Sequence, residues 1–173
     1  ISNPDYKSAN RIIDFLVDVV SKNGCLLLNI TPKANGEIPQ EVQDRLLEIG
    51  KWLDQNGEAI YGTRPWEVYG EGPAKVVEGH LSERKNSDNT AEDIRFTKKG
   101  ETLYAIQLDW PKSGETVIKT LGKENKLLQK KIKSIELLGT SQKLEFVRKL
   151  NGLHISLPKT PVGEHAFVFK INF

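Results

Sequence analysis

The stretch CLLLNITP, residues 25–32, decides how the first part of the chain should fold. Residues 25–30 are apolar except for Asn29, and turn signals at Gly24 and Pro32 bound them. A short apolar run without regular alternation of polar side chains is typical of a strand buried on both faces of a parallel sheet. We therefore predict a buried strand at residues 25–30.

A helical pattern lies on each side of this strand. The first pattern starts at Pro4 and ends before Gly24, and the second starts at Pro39 and ends before Gly57. The apolar positions expected to form the two buried faces are Ile12, Ile13, Leu16, Val17, Val20, Val42, Leu46, Leu47, Ile49, Trp52 and Leu53. A parallel strand between two helices needs neighbouring strands, which nothing else in residues 1–66 supplies. Residues 1–66 are therefore predicted to be a piece of a larger α/β domain.

Beyond residue 66 the pattern changes to short alternating runs separated by turn signals. These runs are residues 94–97, 103–110, 117–121, 132–138, 144–150, 153–157 and 166–173. Asn151-Gly152 is a hairpin signal between two of them. Residues 59–66 are interpreted as a short connecting segment, followed by a looser region that contains Gly70, Gly72, Pro73 and Gly79. The fold class that follows is an α/β fragment in residues 1–66 and an all-β antiparallel sandwich in residues 67–173.

Composition limits the classes of partner. The formal net charge is only +2, which argues against nucleic acid as the main partner, and no apolar run is long enough to span a membrane. The basic run at residues 123–133 is interpreted as a solvated hairpin, because it lacks aromatic residues that stack on bases. Cys25, the single cysteine, is predicted to be a core residue. The chain contains no Met, so we expect that it does not begin where its gene begins.

No metal site and no cofactor are predicted. His80, His154 and His165 lie far apart in sequence, and none has a second His or a Cys at ligand spacing. The glycine-bearing stretches lack the strand before, the helix after and the following Lys that a phosphate-binding loop needs. Carboxylates are the remaining route to catalysis.

Two polar residues lie at or beyond the end of the predicted strand, the side where α/β barrels place their chemistry. Retaining glycoside hydrolysis uses two carboxyl groups about 5 Å apart. Glu37 is the loop carboxylate, but it has no evident partner, so a solvated loop residue is the competing interpretation. Asn29 is the one residue that we predict to bind substrate, with capping of the loop backbone as the alternative.

Four segments of the chain resemble a known family. LVDVVSKNGCLLLNITPKANGEIP at residues 16–39 and RLLEIGKWLDQNGEAIYGTRPW at residues 45–66 are similar to the end of the catalytic barrel in α-L-fucosidases, a retaining glycosidase family. YGEGP at residues 69–73 and DIRFTKKGETLYAIQLDWP at residues 93–111 resemble the start of the C-terminal β-sandwich of that family. The resemblance covers nearly the whole chain, and the segments follow one another in the family's order.

The resemblance implies a division into two parts. Residues 1–66 would be the end of a (β/α)8-like catalytic barrel, with residues 25–30 as its last strand, and residues 67–173 the C-terminal sandwich. In the family, an Asp nucleophile and a Glu acid/base lie on segments that precede the one matching Ile1. No catalytic residue is therefore predicted in this chain, and the chain alone is expected to be inactive.

The resemblance also implies an activity and a setting. The parent enzyme would hydrolyse terminal α-L-fucosyl linkages of fucosylated glycans with retention, and family members are commonly periplasmic, secreted or lysosomal. Many members have Gly where this chain has Thr31, which leaves the contacts of Asn29 open. We expect partner chains, such as further copies in a homo-oligomer, or a rearranged packing to cover Leu26, Leu27 and Leu28.

A non-catalytic carbohydrate-binding or scaffolding module is the alternative function. Sugar-binding faces use exposed aromatic side chains as stacking platforms. The aromatic residues to examine are Tyr104, Trp110, Phe146, Phe167 and Phe169. Their positions in the alternating runs favour core roles for most of them, which favours support over glycan binding.

Overall fold

Two helices followed by eight strands make up the described part of the chain. The computed structural model describes residues 6–74, 88–140 and 142–173. Helix α1 is Ala9–Ser21 and helix α2 is Gln40–Asn56, followed by a 3-10 turn at Gly57–Ala59. The strands are β1 Arg64–Glu71, β2 Ile94–Lys99, β3 Thr102–Gln107, β4 Glu115–Ile118, β5 Ser134–Leu137, β6 Phe146–Arg148, β7 Leu153–Ser156 and β8 Phe167–Asn172. Within these ranges no helix is both long and apolar enough to cross a bilayer.

Side-chain and backbone caps set both ends of α1. Ser8 Oγ accepts a hydrogen bond from the Arg11 N–H at 3.2 Å, so α1 begins after Ser8, and residues 6–8 are not helical. The predicted start at Pro4 lies outside the described residues. At the other end, Asn23 adopts a left-handed conformation (φ 66°), and the Gly24 N–H donates to the Val19 carbonyl at 2.8 Å. These contacts close the last turn, and they confirm the predicted stop before Gly24.

Helix α2 begins directly after Pro39, as predicted. It buries Ile49, Trp52 and Asn56, which share one face at helical spacing. Leu47 was expected on this face, but it is 72% exposed. Two positions from Ile49 correspond to about 200° of rotation, so Leu47 points to the opposite side of the helix.

The predicted buried strand at residues 25–30 is wrong for this chain. The segment runs between the helices without regular secondary structure, and Leu27 is 93% exposed. Cys25 is exposed rather than in the core. A parallel strand needs hydrogen-bonding neighbours on its flanks, and every strand of the described residues belongs instead to one of two antiparallel sheets.

The antiparallel sandwich is confirmed. One sheet has five strands in the order β1-β2-β3-β8-β5, and the other has three in the order β4-β7-β6. Phe96, Phe169 and Leu153 are fully buried between the two sheets. Strands β6 and β7 pair across the Asn151-Gly152 turn, as the hairpin signal predicted.

Strand β1 was missed, because its residues were interpreted as a connection. It contains Pro65 and Gly70, two residues that usually interrupt strands. Its pairing with β2 shifts register between these two residues, and β1 lies at the edge of its sheet. An edge strand with an irregular register tolerates Pro and Gly that a central strand would not.

The basic run at residues 123–133 does not form the expected hairpin. It is an irregular crossing that leads from the 3-10 turn Lys119–Leu121, after β4, to β5 in the other sheet. Leu128 and Ile132 are buried in the sandwich core, while the lysines between them are exposed. The segment is therefore held by two apolar anchors, with its positive charges in water.

A second core joins the helices to the outer face of the five-stranded sheet. Ile13, Val17 and Trp52 from the helices share this core with Ile106 and Val168 from β3 and β8. The Trp52 indole N–H donates to the Ala166 carbonyl at 2.8 Å, and Trp52 is 4% exposed. The five-stranded sheet is therefore covered on both faces at its centre.

Two glycine-to-alanine substitutions should have opposite effects on stability. At Gly122, a new Cβ would meet the Leu150 carbonyl oxygen and lie 2.7 Å from the Gly152 nitrogen, both backbone atoms of a tight turn. We expect Gly122→Ala to lower the free energy of unfolding by about 1–3 kcal/mol. Gly50, inside α2, has open space around its Cβ position, and Gly50→Ala should raise the free energy of unfolding by about 0.5–1 kcal/mol. Urea unfolding of the two variants measures both effects, and the same sign for both would contradict this account.

Candidate functional site

The loop before α2 holds Glu37 as a solvated surface residue. The Glu37 carbonyl accepts the Lys33 N–H at 2.8 Å, and Asn35 Oδ1 accepts the Glu37 N–H at 3.1 Å. The Glu37 carboxylate lies 3.6 Å from Lys33 Nζ, and both side chains are more than half exposed. Its nearest charged partner is thus a cation, whereas a retaining glycosidase pair requires a second carboxylate. This geometry favours the solvated interpretation of Glu37.

Asn29 lies in the irregular segment between the helices and is exposed. The structure does not bring Asn29 and Glu37 into a common cavity, because both side chains face solvent. The substrate-binding role of Asn29 was tied to the end of a barrel strand. That role stays a prediction.

A buried ion pair fastens α1 to the five-stranded sheet. Arg95 on β2 is 4% exposed, and its Nε lies 2.7 Å from Asp18 Oδ1 on α1. Lys22 reaches the other oxygen of the same carboxylate at 2.7 Å. The ring of Tyr69 lies 4.7 Å from Lys22 Nζ and 5.7 Å from the Arg95 guanidinium, both within cation–π range. The four side chains form one charged and aromatic junction between helix and sheet.

Asp14, one turn before Asp18, is buried at this junction without a full set of partners. Its Oδ2 accepts hydrogen bonds from Asn89 at 2.9 Å and from Asn10 at 3.3 Å, while Oδ1 has no hydrogen-bond partner. Burial raises the pKa of Asp14 to about 6, although the Asn89 bond and the Arg95 charge oppose that rise. Asp14 was not predicted as a site residue from the sequence. The available signal was a carboxylate between Ile13 and Val17 on the apolar face of the helix.

Asp93 organises the backbone before β2. It is fully buried, and its two oxygens accept hydrogen bonds from the Ala74 N–H at 2.8 Å, the Thr90 N–H at 2.8 Å and the Thr90 hydroxyl at 2.9 Å. Gly72 passes so close to Asp93 that a side chain at this position would collide with it. The network gives Asp93 a structural role.

A shallow groove of about 430 Å³ lies beside the three-stranded sheet. Its polar floor centres on His154, whose Nδ1 lies 3.0 Å from Glu115 Oε1 and whose Nε2 lies 3.3 Å from Asn151 Oδ1. Phe146 and Val147 supply apolar walls. The arrangement pairs one imidazole with one carboxylate.

Most of the aromatic residues that a sugar-binding face would need are in the core, as predicted. Tyr104, Phe167 and Phe169 are at most 5% exposed. Trp110 packs edge-on against Phe167 with ring centroids 4.7 Å apart, and Phe146 is partly buried. Tyr104 stabilises the core between the helices and the sheet, and the other four stabilise the sandwich core.

One group of potential metal ligands converges in the described residues. Glu48 of α2 meets Glu164 and His165 of the loop before β8. These residues were not predicted as ligands, because Glu48 is far from the other two in sequence and no second His or Cys lies at ligand spacing from His165. His80 lies outside the described residues.

Comparison with known protein families shows which family this chain resembles. The α-L-fucosidase family model matches residues 1–58, and the model of the α-L-fucosidase C-terminal domain matches residues 86–172. The chain belongs to the α-L-fucosidase family. The resemblance noted in the sequence is thereby confirmed.

The matches to individual α-L-fucosidases agree with this family assignment. The chain is 37% identical to the human tissue α-L-fucosidase over 173 residues, covering 97% of the chain and 32% of the human protein. The crystal structure of the α-fucosidase from Thermotoga maritima matches with a TM-score of 0.74 and 32% identity, over 98% of this chain and 36% of that one. A structure of the T. maritima enzyme in complex with fucose matches with a TM-score of 0.71 and 32% identity, over 95% and 34% of the two chains. The chain thus spans about a third of the length of these α-L-fucosidases.

Asp14 should make stability depend on pH. Because its pKa is raised in the folded state to about 6, protonated Asp14 contributes to the free energy of unfolding. This contribution is complete near pH 4 and is lost as the pH rises through 6. The expected loss is on the order of 2–3 kcal/mol. Asp14→Asn keeps an oxygen acceptor without the charge, so it should be more stable than the unsubstituted chain at pH 7, with an advantage that disappears towards pH 4.

Urea unfolding across this pH range tests the assignment. Asp54→Asn, which changes an exposed carboxylate of α2, is the matched control and should show no comparable pH dependence relative to the unsubstituted chain. A pH-independent difference for Asp14→Asn would contradict the role of Asp14.

Proposed function

We propose that this chain acts as the C-terminal part of a complete α-L-fucosidase, which hydrolyses terminal α-L-fucosyl linkages of glycans with retention of configuration. The match of two consecutive family models, at residues 1–58 and 86–172, carries the proposal. The structure of a relative in complex with fucose supports fucose as the sugar that the complete enzyme recognises. Fucosylated glycans are then its substrates, and the periplasm, the lysosome or the extracellular space is its setting.

In this proposal residues 1–66 complete the catalytic barrel and residues 67–173 form the sandwich beside it. The exposed leucines between the helices support the first part. Leu27 is 93% and Leu28 41% exposed, and burying such side chains contributes about 1.5–3 kcal/mol each. Adjacent barrel strands would bury them and would also satisfy the backbone of residues 25–30. Asn29 would then stand at the carboxyl end of a strand, facing the substrate cavity.

The catalytic Asp and Glu are proposed to come from parts of the enzyme other than these 173 residues. Retention requires a nucleophile and an acid/base about 5 Å apart. The loop carboxylate Glu37 lies beside Lys33 instead. The chain contributes barrel closure and support, and it has no fucosidase activity alone.

Support is the role that fits the sandwich better than glycan binding. Both faces of the five-stranded sheet are occupied at its centre, one by the three-stranded sheet and one by the helices. Most of the aromatic residues considered as stacking platforms are buried. The alternative of an independent carbohydrate-binding module has the groove at His154 as its remaining candidate surface.

Hydrolysis of an aryl α-L-fucoside tests whether the catalytic residues lie outside the 173-residue chain. The full-length gene product should release the aryl alcohol, and the 173-residue chain should give no rate above buffer. Activity in the short chain would contradict the placement of the carboxylates, and Glu37→Gln would then be the first variant to measure.

A charge placed in the segment between the helices should disrupt the complete enzyme. We expect Leu27→Asp in the full-length protein to reduce soluble, active enzyme at least tenfold, because a carboxylate would be buried in the barrel wall. Leu150→Asp is the matched control, since Leu150 is 63% exposed on a sandwich turn. Equal activity of the two variants would contradict burial of Leu27.

Sedimentation of the 173-residue chain with and without Leu27→Asp tests whether further copies cover the same leucines in a homo-oligomer.

A further inference from the structure

Three potential metal ligands meet where the end of the sandwich contacts α2. Glu48 lies on α2, and Glu164 and His165 lie in the loop that leads into β8. The ligand atoms of these three side chains all lie within 4.8 Å of one another. Nothing in the fucosidase reaction proposed above uses them.

The His165 ring is positioned with one nitrogen directed at this group. Its Nδ1 lies 3.3 Å from Asn10 Oδ1 of α1, so the tautomer with its proton on Nδ1 donates to Asn10. This leaves the lone pair on Nε2. A metal-bound histidine characteristically donates its other N–H to an oxygen in this way, which fixes the ring and the tautomer.

His165 Nε2 lacks a hydrogen bond although an oxygen is close. Glu48 Oε1 lies 2.9 Å away, but this buried nitrogen has no hydrogen-bond partner of acceptable geometry. When two side chains bind the same tetrahedral ion, the lone pair of each ligand atom points at the ion. The two ligand atoms are then close together without pointing at each other. The position of Glu48 beside the imidazole therefore suits a shared cation.

Charge and access favour a divalent ion. The Glu48 and Glu164 carboxylates together carry two negative charges, which an ion of charge +2 balances. Both glutamates are exposed, so an ion can enter from solvent and the side chains can adjust. Tetrahedral ligands at zinc distances lie about 3.4 Å apart, a spacing that rotation of the exposed carboxylates can reach.

We propose that Glu48, Glu164 and His165 bind a structural Zn²⁺ ion that fastens α2 to the sandwich, with water as the fourth ligand. Imidazole nitrogen and carboxylate oxygen are ordinary zinc ligands. The ion links two segments that are far apart in sequence, and it adds a third attachment to the packing of Trp52 and the Asp18–Arg95 ion pair.

Zinc titration of the 173-residue chain tests the site. The experiment uses Cys25→Ser throughout, because the exposed thiol of Cys25 would compete for zinc. Calorimetry of the chelator-treated protein should give one Zn²⁺ per chain, and saturating Zn²⁺ should raise the melting temperature. Co²⁺ should give the visible absorption of a tetrahedral complex.

Three variants identify the ligands. His165→Asn suits the left-handed backbone at this position (φ 68°), and it should weaken zinc binding at least tenfold, as should Glu48→Gln and Glu164→Gln, which change exposed side chains. His154→Asn is the matched control, because His154 pairs with one carboxylate only, and it should leave the zinc Kd unchanged. Zinc binding of unchanged affinity in the three ligand variants would overturn the site, and so would the absence of both zinc binding and a melting-temperature increase in the Cys25→Ser chain.

Discussion

The contact between the two helices and the five-stranded sheet is the interaction on which the rest of the structure depends. Trp52 fills the centre of that contact and donates its indole N–H to the backbone just before β8. Without the helices, the sheet would expose an apolar face made of residues such as Ile106 and Val168. Without the sheet, the apolar faces of the two helices would have only each other to pack on. The two parts of the chain therefore stabilise each other.

Charged groups complete this contact and limit how the helices can sit. The Asp18–Arg95 pair fixes α1 in rotation, because a buried guanidinium left without its carboxylate is costly. Asp14 adds a carboxyl group whose charged form the interface disfavours. If the interface contained only aliphatic side chains, the helices could slide on the sheet. Directed polar contacts prevent this movement.

The sequence predicted those features that local chemistry decides. The stop of α1 follows from Asn23 and Gly24, the start of α2 from Pro39, and the hairpin from Asn151-Gly152. The strand at residues 25–30 was wrong because an apolar run indicates a preference for burial but not whether partner strands exist in the same chain. Strand β1 was missed because Pro65 and Gly70 usually indicate turns, whereas an edge strand with a register shift tolerates both. The group at His165 could not be predicted, since Glu48 reaches it only through the packing of α2. The role of Asn29 was inferred from a strand position that this chain does not adopt.

Strands β3 and β8 are packed on both faces. This packing limits where the polypeptide can be cut into parts that fold separately. Leu103 and Ala105 of β3 face the sandwich core, while Tyr104 and Ile106 face the helices. A polypeptide cut between residues 66 and 67 would divide β1 and lose Trp66, which packs on Phe96 in the sandwich core. It would also present the second core to water as a continuous apolar surface. Such a surface promotes self-association, so the border predicted between residues 66 and 67 is a poor place to separate the sandwich. The helices belong to the folding unit of the sheet, even though residues 1–58 and residues 86–172 match two different family models.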